Sequence, residues 1–70
     1  MSGQTEVALK LDGRDLFEYW TSAVPRVGET MDLSHEDVEG VYLVKQVTHT
    51  VFEDKYGDIL NYVTVNLEKE

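Results

Sequence analysis

Val41-Tyr42-Leu43-Val44-Lys45-Gln46-Val47-Thr48-His49-Thr50-Val51-Phe52 is the longest strand-like stretch of the chain. β-Branched and aromatic side chains dominate it, and these pack well on a pleated surface. Its alternation slips once. Tyr42 and Val44 share one phase, whereas Val47, His49 and Val51 share the other. A single bulge near Lys45-Gln46 brings both sets to one face. Such a bulge bends a strand, as a small barrel requires at its corners.

The same period of two recurs on either side. Downstream, a polar turn over 53–58 contains Gly57. A strand over 59–67 then directs Val63, Val65 and Leu67 inward and Thr64, Asn66 and Glu68 outward. At the other end, Val7, Leu9 and Leu11 alternate with Glu6, Ala8 and Lys10, and Asp12-Gly13 supplies a turn. Pro25-Arg26-Val27-Gly28-Glu29 reads as a bend. It places position 25 at an edge or corner, because proline has no N–H to donate. Met31 and Leu33 mark the strand that follows. Ser34 can cap a helical turn over 34–40, with Asp37 three residues on and Gly40 in the left-handed closing position.

The stretch 15–24 carries two signals. Leu16, Tyr19, Trp20 and Ala23 recur at helical spacing, with Asp15 and Glu18 placed to cap. Phe17, Tyr19, Trp20 and Thr21 favour a strand. The segment is short and aromatic, so strand is preferred.

The expected fold is a single all-β domain over 1–70, a five-stranded, strongly bent antiparallel barrel of SH3-like topology. An OB-like barrel is the alternative if the helical turn between the third and fourth strands decides. An α+β sheet follows if 15–24 is helical.

Seventy residues leave no room for separate cofactor and substrate domains. Fourteen acidic against six basic side chains give a net charge of −8, and such a surface repels nucleic-acid phosphates. The chain has no cysteine, which removes disulfides and thiol chemistry and favours a reducing cytoplasm. The first residues lack the basic and apolar regions of a signal peptide. The longest apolar runs are a few residues, against roughly 20 for a membrane span. A core of this size rarely yields more than about 3–5 kcal/mol, so self-association is expected.

Residues 25–33, Pro-Arg-Val-Gly-Glu-Thr-Met-Asp-Leu, and the stretch 41–49 together resemble a pattern found in small SH3-like barrels. There a Gly-acid pair opens one strand and an aromatic-x-Val-x-x-Val-x-His strand follows. The resemblance is to short proteins of phages, integron cassettes and other mobile elements. It covers about 25–67, and it implies a fold and no activity. The acidic aromatic loop and paired tryptophans of peptide-binding SH3 domains are not found, since Trp20 stands alone.

Among candidate site residues, the phase of His49 aims it at the barrel interior or rim. There it is a satisfied imidazole or a general base. No nucleophile motif surrounds it. His35 and Glu39 would share one face of a helical turn as possible metal ligands, but no second ligand pair accompanies them. Glu53, Asp54 and Asp58 lack the ligand ladder of a calcium loop and read as a turn. Arg26 is expected to pair with Glu29, or to bind an anion.

Seven aromatics exceed what so small a barrel encloses. Tyr19 and Tyr62 are expected outward, with Phe17 and Trp20 divided between faces. The candidate binding residues are therefore Tyr19, Trp20, Arg26, His49, Tyr56 and Tyr62. No catalytic constellation, metal site or cofactor is predicted. The expected role is a non-catalytic protein-interaction module, a mobile-element accessory protein that contacts a protein or a second copy of itself, with no nucleic acid and no membrane. Two alternatives remain. An acidic mimic of nucleic acid would inhibit a host enzyme with its carboxylates in a row. A small ligand binder or enzyme would use His49.

Overall fold

Every stretch of alternating sequence forms a strand in the computed structural model, which describes residues 3–70. The strands are β1 (Thr5–Leu11), β2 (Arg14–Thr21), β3 (Thr30–His35), β4 (Val38–Glu53) and β5 (Ile59–Lys69). They form one mixed sheet in the order β2-β1-β5-β4-β3. The sheet curls strongly into a half-barrel of SH3-like kind.

The antiparallel expectation holds for three ladders and needs correction for the fourth: β1 pairs with β5 in parallel, from Val7↔Val63 to Leu11↔Leu67. Neither edge strand, β2 nor β3, pairs with the other. Side chains meet across the gap instead, where the Phe17 and His35 rings stack at 4.5 Å and 24°.

The core lies in the concave face. Val7, Leu9, Val44, Val63, Val65 and Leu67 are fully buried, and Leu33 and Tyr42 nearly so. The inward triad of β5 sits between inward residues of β1 and β4, so its side chains are packed from both flanks. The register of β4 against β5 shifts between Val44 and Gln46, leaving Lys45 as the extra residue. The bulge lies where the alternation slips.

Residues 15–24 are not helical. Ladder pairs run from Thr5↔Thr21 to Leu9↔Phe17 and resume at Lys10↔Asp15, so Leu16 is itself an extra residue. Leu16 and Phe17 both pack against the core. The extra residue puts Leu16 on the same face as Tyr19, three positions on, which mimics part of a helical spacing, whereas Trp20 points to the other face. The predicted helical turn over 34–40 is also replaced by a strand pair. Ser34 and His35 face Glu39 and Val38, and Glu36-Asp37 make a two-residue hairpin turn with Glu36 at φ 53°. An isolated helical turn fixes several dihedrals for one hydrogen bond. The hairpin instead extends a ladder already running. With that turn gone, the reason for an OB-like alternative goes too. Asp12-Gly13 closes the first hairpin as expected, both residues having positive φ.

The crossover from β2 to β3 runs over 22–29. Pro25 is buried at its corner. Gly28 N donates to Val44 O at 3.0 Å and Val44 N to Glu29 O at 2.9 Å, which ties the crossover to β4 just before the bulge.

Candidate interaction site

Beyond His49 the sheet narrows to two strands. β5 is flanked on both sides only over 63–67; residues 59–62 pair with β4 alone. On β4, residues 38–43 pair with β3 and Val44 is tied to the crossover, but 45–53 are laddered to β5 alone. The result is a hairpin arm at the far end of a molecule 41 Å in its longest extent.

The arm is built by strong strand formers on both sides of a well-determined turn. Asp54 Oδ1 accepts hydrogen bonds from Tyr56 N at 2.8 Å and Asp58 N at 2.9 Å. Asp54 N donates to Asp58 O at 2.9 Å, and Gly57 N to Asp54 O at 3.1 Å. The Asp54 carboxylate is thus occupied in holding the turn, which accounts for the acidic cluster without a cation.

Directly opposed residues of a ladder share a face. On the concave face of the arm lie Val51 and Ile59, at 64% and 67% exposure. On the convex face Phe52 opposes Leu60. Tyr62 stands diagonal to them, its ring 6.3 Å from that of Phe52 in edge-to-face contact. All three are exposed, as is Tyr56 at the tip. The arm is apolar on both faces.

Trp20 extends the convex patch. It opposes Glu6 on β1, and Glu6 precedes Val7 as Tyr62 precedes Val63 in the parallel ladder. Trp20, Glu6 and Tyr62 therefore fall in one row. Trp20 is 61% exposed. A shallow groove of about 320 Å³ runs beside this row, lined by Glu6, Glu18, Asp15, Lys10 and Tyr62. Lys10 Nζ lies 3.5 Å from Asp15 Oδ1. The Glu6 carboxyl is raised above its ordinary value, first by loss of hydration, then by a hydrogen bond to Glu18 and by repulsion from it.

The remaining candidates fall elsewhere. Tyr19 does not stand outward: it opposes Val7 and packs against the core, and burial pushes its phenol up. Arg26 and His49 line a second groove of about 360 Å³ with Val24, Pro25, Val27 and Val47. His49 is exposed on the concave face of the arm rather than enclosed. Glu29 takes a hydrogen bond from the backbone N of Arg26 at 2.8 Å, so their pairing runs through the main chain. His35 and Glu39 project to opposite faces, because His35 opposes Val38.

The six carboxylates of Glu36, Asp37, Glu39, Glu53, Asp54 and Asp58 divide between the turns at the two ends of β4, and so do not form one row. No helix among the described residues is long and apolar enough to cross a membrane.

Of the sequence candidates, the structure brings Trp20 and Tyr62 to one patch, and Tyr56 to the tip of the same arm. Phe52, Ile59 and Leu60 are the members that alternation arguments passed over, and Val51, read as inward with Val47 and His49, is exposed. The signal was there: two adjacent apolar residues on each side of a turn must place one on each face. Comparison with models of protein families, with curated proteins and with solved structures finds no match.

Proposed function

We propose that this chain is a non-catalytic protein-interaction module that works through the β4–β5 arm. One observation carries the reading. The arm exposes apolar side chains on both faces, and a two-stranded hairpin is at best marginally stable alone in water. The convex face carries Phe52, Leu60 and Tyr62, with Trp20 in the row of Tyr62 across Glu6, and acidic Glu6 and Glu18 line the groove beside them. The partner it fits is a protein surface with an apolar centre and a basic rim. Aromatic anchors inside a charged rim are the usual anatomy of such contacts.

The test is capture with wild type and with Leu60→Asp, both verified as folded by circular dichroism. A partner of this chemistry stays bound to wild type through moderate salt, since screening barely touches apolar contacts. It is lost by Leu60→Asp. Equal capture by both proteins, or none by either, would refute the reading.

A further inference from the structure

The crossover and β4 enclose a groove that the convex patch does not use. Val24, Pro25, Arg26 and Val27 line it from the crossover, Val47 and His49 from β4, and the space is about 360 Å³. Pro25 is buried, Val24 and Val47 are half-buried, and Arg26, Val27 and His49 reach solvent. Backbone bonds hold the two sides together. Gly28 N donates to Val44 O and Val44 N to Glu29 O, immediately beyond the lining residues of the crossover.

Charge sets this groove apart from the rest of the surface. The chain carries −8 overall. The groove beside Arg14 includes Glu36 and Asp37, that beside Lys45 includes Asp12, and that beside Lys10 includes Glu6 and Glu18. The lining at Arg26 includes no carboxylate. The Arg26 guanidinium forms no ion pair among the described residues. Glu29, the nearest acid in sequence, accepts a hydrogen bond from the backbone N of Arg26 instead. A weakly hydrated cation thus stands uncompensated beside a bed of valine and proline.

That combination selects an occupant. A guanidinium presents a planar fork of N–H donors that matches two carboxylate oxygens, and an imidazole donates one further N–H. Arg26 and His49 are the polar side chains of the lining, and together they satisfy one carboxylate. A peptide would carry its own N–H and C=O groups over an apolar bed with no side-chain partner left for them, which costs affinity. A hydrocarbon tail brings no such groups. At roughly 30 Å³ for each water-sized volume, 360 Å³ holds about a dozen non-hydrogen atoms.

We propose that this groove binds a small aliphatic monocarboxylate, its carboxylate held by Arg26 and His49 and its hydrocarbon tail lying over Val24, Pro25, Val27 and Val47. The site is separate from the convex patch and does not depend on the protein-contact reading.

The test is a titration of the isotope-labelled full chain with sodium octanoate, followed by backbone amide shifts. Salt of about 0.15 M screens the net charge beyond about 8 Å and leaves the contact itself intact. The amides of Val24, Arg26, Val27, Val47 and His49 should move and saturate. Hexanoate, two methylenes shorter, should bind about 5-fold more weakly. Octanol lacks the charge and should bind about 10-fold more weakly or worse, and so should octanoate to Arg26→Gln. His49→Phe keeps a ring and loses the N–H, and should weaken octanoate about 3-fold or more. Both substituted residues are exposed, so the fold is not at stake, and unmoved amides of the core verify it. The absence of a saturable shift, equal binding of octanol and octanoate, or full affinity in Arg26→Gln would overturn the proposal. Shifts centred on Phe52, Leu60 and Tyr62 would overturn it too. An acetyl-Gly-Gly-Val peptide that moved the same amides at lower concentration than octanoate would assign the groove to a protein C-terminus instead. Leu60→Asp should bind octanoate as wild type does, so loss of the convex contact and loss of this site are read separately.

Discussion

Glu6 and Glu18 are an unfavourable pair that the convex face tolerates. Glu6 binds its proton more tightly in the folded chain than an ordinary carboxylate does, because hydration is lost and Glu18 is near. A raised carboxyl binds more protons folded than unfolded across the interval between its two pKa values. Stability contributed by this group therefore rises as pH falls through that interval, and above it the pair costs the fold. Glu18→Gln removes the repulsion. Its melting temperature should exceed that of wild type at neutral pH, and the difference should shrink as pH approaches about 4, where an ordinary carboxylate is itself protonated. Thermal melts across that range check the sign, and a difference that grows on acidification would contradict it. The position of this pair beside Trp20 and Tyr62 gives the cost a use, since a basic partner would relieve it.

At the level of elements, β4 carries most of the shape. Its first part completes the barrel against β3 and its last part is the arm; Lys45 marks the change. Removing Lys45 leaves a regular ladder in which Val44, Val47 and His49 keep their faces, so pairing survives while the bend is lost. The deletion should retain a β-sheet spectrum yet lose the ring-to-ring proton contacts between Phe17 and His35, read by nuclear Overhauser effects. Persistence of those contacts would show that the bulge does not set the curl. This bulge was legible because Tyr42, Val44, Val47 and Val51 are all apolar and only one slip reconciles them. The extra residue at Leu16 was not, because it brings Leu16 and Tyr19 to one face at a separation of three, which also fits a helical period. The turn at Glu36-Asp37 was misread for a related reason. Ser34, Asp37 and Gly40 have capping chemistry, and only the pairing of Leu33 with Gly40 tells the chain to continue as a ladder. The core of β5 was legible from alternation. The apolar arm was not, because alternation assigns a face to each side chain and does not say whether anything covers that face.

For the whole molecule, charge is the main opposing force after chain entropy. The net charge is −8 over 70 residues, and Lys10–Asp15 is the one ion pair among the described side chains. Repulsion thus outweighs attraction at long range, and screening removes more of the former. The melting temperature should rise as sodium chloride goes from about 0.02 to about 0.5 M; a fall would mean that local attractions dominate. Sheet order has a different kind of consequence. The hairpins β1–β2 and β3–β4 share no ladder, and β5 alone lies between them. As a ribosome releases the chain, both hairpins emerge before the strand that must unite them, and Val7 waits for Val63 to arrive. Non-local parallel pairing of this kind is slow to form. Until β5 emerges, the apolar faces of both hairpins are uncovered, so the nascent chain is most aggregation-prone between the release of β4 and the release of β5.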